Sequence, residues 1–236
     1  MSIPKIIHYC WFGGNPIPQE LQQYIQGWKT MMSDYTFIEW NEDNFDIHIN
    51  SFVEDAYNNH KYAFVSDYAR LYALCKYGGF YLDTDMELRK RLDDFLDYDF
   101  VTGFESEHVV SAGVIGACIQ NPIVLEFMHH YDDLAFDIDH LVPNTYYLTD
   151  LLESKGIIIN GQKQIYGSIF VGSNDYFLGF DYNDYGYCIT DHTYTIHHSF
   201  GSWTSKKQKL IHKTKRFLRE LLGKKGYLLL KKIIKR

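Results

Sequence analysis

The chain has 236 residues, 46% hydrophobic and 22% charged, which suits one sizeable core or a domain with an appendage and argues against a mainly disordered segment. Its net charge of −7 joins two unlike parts: residues 206 to 236 carry thirteen Lys or Arg against one acid, Glu220, a net +12, while the preceding 205 residues hold ten basic and 29 acidic side chains, a net −19. Cys10, Cys75, Cys118 and Cys188 lie far apart with no Cys-x-x-Cys pair, so neither a zinc site nor a stapled secreted scaffold is expected, and reduced thiols in a cytosolic protein fit best.

"MSIPKIIHYCWFGG" has no basic flank leading into a long apolar stretch, and no run of about 18 apolar residues occurs anywhere, so secretion and membrane spanning are not expected. "IPKIIHYCWF", closed by Gly13-Gly14, reads as a buried first strand. "PIPQELQQYIQGWKTMM" follows as a helix, with Leu21, Tyr24, Ile25, Trp28, Met31 and Met32 at helical spacing, and "YTFIEWN" as a second strand. Strand, helix, strand points to an α/β fold with a largely parallel sheet flanked by helices. "HKYAFVSDYARLYALCKYGG" is a helix stopped by glycines that feeds the strand "GFYL". "DFVTGFE" and "VVSAGVIGAC" read as further strands and "NPIVLEFMHHYDDL" as a helix with proline in its first turn. Beyond "NTYYLTDLLESKG", short β-like pieces ("GIIIN", "SIFVG", "YTIHH") are separated by Gly, Asn and Asp. The one composition shift falls near Ser205, giving a body of residues 1–205 and a basic tail of residues 206–236.

Two places in the body set charge against apolar surroundings. Between Tyr62 and Tyr77 the helix is apolar almost all round, yet it carries Asp67 and Arg70, three apart and therefore on one face. An intrahelical ion pair is one reading. Because buried charge is costly unless compensated, the other is a ligand-facing role, with Asp67 accepting hydroxyl hydrogens and Arg70 meeting the oxygens of an anion or sugar. Asp83 and Asp85 then follow the apolar strand "GFYL", where ligands gather in open α/β sheets. Turns favour Asp, so solvent is the plain reading. The chemical one is a hard divalent ion, Mn²⁺ or Mg²⁺, held by two carboxylates that alternate residues send to one side. Such an ion would neutralise the diphosphate of a nucleotide and stabilise it as a leaving group.

The linked pattern "SDYARLYALCKYGGFYLDTDMEL" resembles the signature of glycosyltransferases with a sugar-binding DXD motif, a group that includes mannosyltransferases, capsular polysaccharide transferases and the large glucosylating bacterial toxins. Ser66, Asp67, Arg70, Leu74, Gly78, Gly79, Tyr81, Leu82, Asp83 and Asp85 stand in register with it, and the opening through "MMSDY" is similar to the family's first strand and helix. The resemblance covers roughly residues 1 to 90, and the rest in patches. It implies a GT-A type fold with a mixed sheet, a nucleotide-sugar donor and retention of anomeric configuration. It implies that Trp11, otherwise read as a core aromatic, stacks on the donor's base, that Asp67 and Arg70 hold the donor sugar, and that Tyr81 lines the same pocket. Asp83 would contact ribose or sugar and reach the metal through water, and Asp85 would bind the metal directly. Two carboxylates and a diphosphate leave positions open on an octahedral ion. "YTIHHSFGSW" resembles the family's late His-containing segment, so His197 or His198 would complete the shell; strand alternation turns the two apart, so at most one serves, and His197 is favoured. Ser202 and Trp203 would close over the phosphates. No catalytic nucleophile is read; front-face attack with the leaving phosphate as base is the family expectation. "GFESEHVVSAGVIGACIQNP" departs from the common form, which leaves the acceptor site unread.

In the tail, Leu210, Ile211, Phe217, Leu218, Leu221 and Leu222 form one helical stripe ringed by Lys and Arg, and after a Gly-Lys-Lys-Gly break Leu229, Leu230, Ile233 and Ile234 repeat the design. Such segments lie at anionic membranes, and the plain alternative is a solvated terminal helix packed on its own domain. No nucleic-acid recognition motif is present, and the acidic body opposes that partner. The expectation is a metal-dependent retaining glycosyltransferase, peripheral on the inner face of the cytoplasmic membrane. It would move sugar from a UDP- or GDP-sugar to a saccharide or lipid-linked saccharide in bacterial surface-polysaccharide assembly. A non-catalytic binder on the same fold is the alternative. A phosphotransferase lacks support, because no phosphate-cradling GxxxxGK[ST] loop occurs.

Overall fold

The structure, a computed structural model, describes residues 2–181, 185–198 and 206–234. The chain opens as β1 (Ile6–Cys10), α1 (Gln19–Met31), β2 (Thr36–Trp40), α2 (Ser51–Asn58), α3 (Tyr62–Tyr77), β3 (Gly79–Leu82) and β4 (Met86–Leu88). It continues through a 3-10 turn at Asp93–Phe95 into β5 (Phe100–Ser106), β6 (Val109–Val110), β7 (Val114–Ala117), α4 (Pro122–His129) and α5 (Asn144–Ser154). The last part holds β8 (Gln164–Tyr166), β9 (Ile169–Gly172), α6 (Asn174–Phe177), β10 (Phe180–Asp181), β11 (Gly186–Tyr187), β12 (Thr195–His197) and α7 (Lys206–Ile234).

The main sheet has the order β2-β1-β3-β7-β5-β9-β8, with β6 beside β5. Its first half is parallel, as strand-helix-strand connections require: β1 pairs parallel with both β2 and β3. β7 then runs antiparallel between β3 and β5, so the sheet is mixed. Alternation along the strands divides the core into two clusters. Ile7, Tyr9, Phe80 and Leu82 join Ile25 and Trp28 of α1 and Phe177 of α6, while Cys10 and Tyr81 join Val65, Leu71, Phe127 and Leu148 of the helices α3 to α5.

Three tertiary pins set the sheet edge that matters. Gly78 and Gly79 both have positive φ, 61° and 103°, and a Cβ on Gly79 would lie 2.6 Å from the Ile6 carbonyl oxygen, so only glycine lets α3 turn so tightly into β3 beside β1. His8 is fully buried; its Nε2 donates to the Gly78 carbonyl at 2.8 Å and its Nδ1 accepts from the Trp40 indole at 3.1 Å. Trp28 donates to the Met86 carbonyl at 2.8 Å, tying α1 to β4.

Several local expectations change. "VVSAGVIGAC" is two strands, not one, because Ser111, Ala112 and Gly113 leave the ladder and turn their carbonyls to other partners. "GIIIN" forms no strand, and α2 was not anticipated. In the tail the break falls at Gly223, whose φ of 66° and ψ of 171° interrupt α7.

Candidate functional site

β1 and β3 run parallel, so Trp11 and Asp83 leave the sheet at the same edge. Asp83 to Asp85 are not the end of β3 itself. They form the turn between β3 and β4, closed by the Met86 N–H donating to the Asp83 carbonyl at 3.0 Å. The carboxylates are therefore brought together by turn geometry instead of strand alternation. The turn is braced on both sides: the Asp83 N–H donates to the Gly113 carbonyl at 2.9 Å, and the Asp85 carbonyl accepts from the His198 N–H at 3.0 Å. Gly113 must be small, since a Cβ there would lie 3.0 Å from Asp83 Oδ2 and 2.5 Å from the Met86 methyl.

β12 pairs antiparallel with β4, setting His197 opposite Met86 and beside the turn. His197 Nε2 lies 3.1 Å from Asp85 Oδ1, and both side chains are nearly buried. Asp83, Asp85 and His197 each offer a ligand atom, all within 4.8 Å of one another. Burial pulls the imidazole toward the neutral form, but Asp85, Asp83 and Glu105 outweigh it and raise its pKa to about 9. Its Nδ1 is buried without a hydrogen-bond partner. Two carboxylate oxygens and one imidazole nitrogen at this spacing fit a divalent cation: the carboxylates suit Mg²⁺ or Mn²⁺, and the nitrogen favours the softer Mn²⁺. His198 points elsewhere, as alternation requires. Its Nε2 meets Glu87 at 2.9 Å and its ring stacks on Tyr24 at 4.8 Å, so it stands outside the three-ligand cluster.

Arg70 is the buried hub behind the turn. Its Nη2 lies 2.8 Å from Asp67 and 3.4 Å from Asp83, its Nε donates to the Ser66 carbonyl at 3.2 Å, and its Nη1 donates to the Ala112 carbonyl at 2.6 Å. The guanidinium also sits over the Tyr81 ring, 4.4 Å from its centre, and Tyr81 OH donates to Asp83 Oδ1 at 2.8 Å. The intrahelical ion pair and the site thus coincide, and the guanidinium is largely spent on protein oxygens. Burial raises Asp67 to about 7 although Arg70 opposes the rise. For Arg70 itself burial acts to lower the pKa, and Tyr81, Asp83 and Asp67 together hold it above its ordinary value.

Trp11 is not a core residue. It lines a cavity of about 410 Å³ with Gly13, Gly14, Glu39, Glu42 and Tyr57. Its indole donates to the Asn15 carbonyl at 2.6 Å, and Glu42 shapes the glycine turn by accepting from the Gly13 N–H at 2.6 Å and from Tyr57 OH at 2.9 Å. Ser202 and Trp203 lie outside the described residues.

Three contributors escape a reading of motifs. The carbonyls of Ala112 and Gly113 hold Arg70 and the Asp83 backbone, and nothing in their side chains advertises it. Glu105 is half-buried at the end of β5, where burial raises its pKa and the charge of His197 opposes the rise. Glu42 carries no motif; its Gly-Gly neighbour was the available clue.

The chain resembles known proteins in the same region. Residues 18–101 match the family model described as glycosyltransferase sugar-binding region containing DXD motif. An uncharacterized glycosyltransferase of Acanthamoeba polyphaga mimivirus is 34% identical over 131 residues, covering 51% of this chain and 52% of its own length. Inositol phosphoceramide mannosyltransferase 3 of Schizosaccharomyces pombe is 28% identical over 140 residues, covering 58% of this chain and 39% of its own. The chain thus spans about half or less of the curated relatives it matches. Among solved structures, PaToxG glycosyltransferase superposes with a TM-score of 0.50 at 16% identity, covering 65% of this chain and 70% of that one. That likeness is one of fold, and the fold is the GT-A type.

Proposed function

We propose that this chain is a metal-dependent, retaining glycosyltransferase that moves a sugar from a nucleotide-sugar donor to a saccharide acceptor. The observation that carries the reading is the convergence of Asp83, Asp85 and His197 within 4.8 Å at the sheet edge that also bears Trp11. The matching family model and the glycosyltransferase names of the relatives support the class.

Asp85 and His197 would hold Mn²⁺, with Asp83 in the same shell. The ion, when bound, supplies positive charge against a leaving diphosphate. Arg70 keeps Asp67 and Asp83 in place, and its charge stabilises both carboxylates within the apolar helix layer. Asp67 accepts hydrogen bonds from sugar hydroxyls, and Tyr81 fixes the orientation of Asp83. Trp11 supplies a flat face for the base, and the Gly13-Gly14 turn lets the backbone approach the nucleotide. In transfer, the bond from the anomeric carbon to the diphosphate oxygen breaks and a bond to the acceptor oxygen forms on the same face. The acceptor proton passes to the departing phosphate, so no protein nucleophile is required.

The acceptor is read as a saccharide of a bacterial surface polysaccharide, lipid-linked in its membrane-bound form. Among the described residues no helix is long and apolar enough to cross a membrane. On this reading the basic tail keeps the enzyme peripheral at the inner face of the cytoplasmic membrane.

The test is incubation with Mn²⁺ and a panel of UDP- and GDP-sugars, with released nucleotide as the readout. Metal-dependent release from one donor, lost in Asp85→Asn, is expected. Binding of the sugar nucleotide without release, with or without saccharides, would instead favour a non-catalytic binder.

A further inference from the structure

A helix on the surface of a globular body normally turns its apolar stripe inward and its charges outward. α7 departs from this in part: Tyr227 is buried and Leu218, Leu228 and Leu230 are half-buried, yet other large apolar side chains of the helix stay exposed. Arg216 Nη2 donates to Tyr187 OH of β11 at 2.8 Å, and its guanidinium lies over that ring, 5.1 Å from the centre. Lys215 lies 5.0 Å over the Tyr185 ring. Beyond the Gly223 break, Tyr227 is buried with its ring 6.2 Å from that of Tyr185. The helix is thus seated on the body by cationic and aromatic contacts. Leu210, Phe217 and Leu221, seven and eleven positions apart and so on a single face, are 65%, 61% and 67% exposed. In the second segment Leu229 and Ile233, one turn apart and roughly opposite Tyr227, are 62% and 63% exposed.

Charge selects what covers this face. The tail carries a net +12 and the body −19. A second copy meeting the face with its own tail would set one strongly basic helix against another. An anionic bilayer offers both an apolar interior for the leucines and negative headgroups for the flanking Lys and Arg. The same charge split orients the molecule, since the membrane attracts the tail and repels the body.

The docking contacts also tie this face to the metal corner. Tyr187 OH lies 3.4 Å from His198 Nδ1, and the His198 N–H donates to the Asp85 carbonyl. We propose that α7 is an interfacial membrane helix, inserting the exposed apolar residues of its two segments, Leu210, Phe217 and Leu221 before the Gly223 break and Leu229 and Ile233 after it, into an anionic bilayer while Arg216 and Tyr227 hold the body, and with it the Asp83-Asp85-His197 corner, at the membrane surface. This deepens the membrane part of the proposed function and does not depend on the transfer chemistry.

The test is flotation of the full chain with vesicles of phosphatidylcholine alone or mixed with phosphatidylglycerol. Binding is expected only to the mixed vesicles and should weaken with salt. The triple variant Leu210→Ser, Phe217→Ser, Leu221→Ser changes only exposed positions and should lower binding at least about tenfold with unchanged thermal unfolding. A Phe217→Trp chain should show a blue-shifted emission quenched by brominated lipid. Undiminished binding in the triple variant, an unquenched tryptophan, a self-association that this variant abolishes, or retention by an oligoribonucleotide in place of vesicles would each overturn the proposal. No readout requires turnover, so failure of the transferase reading is separable from failure of this one.

Discussion

Asp85 Oδ1 and His197 Nε2 stand 3.1 Å apart because the short strand after the acidic turn pairs antiparallel with the last strand of the body. The contact joins a motif in the first half of the chain to a histidine close to the tail. Asp85→Ala should weaken Mn²⁺ binding on the order of a hundredfold or more, and His197→Ala by a smaller factor, since even partners that merely orient ligands cost 10- to 100-fold. His198→Ala should leave the metal affinity within about threefold, because its ring serves Glu87 and Tyr24. Calorimetric Mn²⁺ titration of the three variants checks the order, and a larger loss in His198→Ala than in His197→Ala would reverse the assignment.

Arg70 is 5% exposed and faces two carboxylates. Arg70→Met should destabilise the fold by about 3 to 5 kcal/mol, since it leaves Asp67 and Asp83 without their buried countercharge. Asp67→Asn should cost less, under about 2 kcal/mol at pH 7, because burial already raises the pKa of that carboxyl and the amide keeps a hydrogen-bonding oxygen toward Arg70. Guanidinium denaturation of both variants provides the comparison.

His8 gives stability a pH dependence of known sign. Burial lowers its pKa from 6.5 to about 4, although its bond to Gly78 opposes the shift. Between those values the unfolded chain binds more protons than the fold. The stabilising contribution is therefore complete above about pH 6.5 and disappears as pH falls toward 4, a change of about 3 kcal/mol. Urea midpoints from pH 7 to 4.5, for the wild type and His8→Gln in the presence of a chelator, should converge as the pH falls.

Trp11 lines the cavity at the end of β1 and contributes little to the core. Trp11→Ala should reduce nucleotide affinity by about tenfold or more, in line with 1 to 3 kcal/mol for an aromatic platform under one base, and leave thermal unfolding nearly unchanged. Nucleotide titration alongside a melting curve separates this outcome from loss of a structural aromatic, which would lower the melting temperature and leave binding intact.

The residues of "SDYARLYALCKYGGFYLDTD" could be read as a unit because their chemistry is local: a helix too apolar for its two charges, a glycine stop, a buried strand and two acids. The break in the tail at Gly223 was visible for the same reason, since glycine spacing is a local signal. What escaped notice is long-range or made of main chain. His197 is favoured over His198 from the sequence, but its contact with Asp85 is long-range, because it follows from the pairing of β12 with β4. The splitting of "VVSAGVIGAC" depends on Arg70 and Thr102 capturing carbonyls of residues 111 and 112. The α2 helix has an Asn50 cap that accepts from the Val53 N–H at 2.9 Å and buries Phe52, Val53 and Ala56, but at eight residues its periodic pattern is too short to stand out.

The bracing of the acidic turn by the Ala112 and Gly113 carbonyls has an evolutionary consequence. A carbonyl oxygen is the same atom whichever amino acid bears it, so the brace makes no demand on side-chain chemistry, and what limits substitution here is space: Ala112 is buried and the residue beside Asp83 must stay small. Substitutions within that limit are compatible with an unaltered acidic corner.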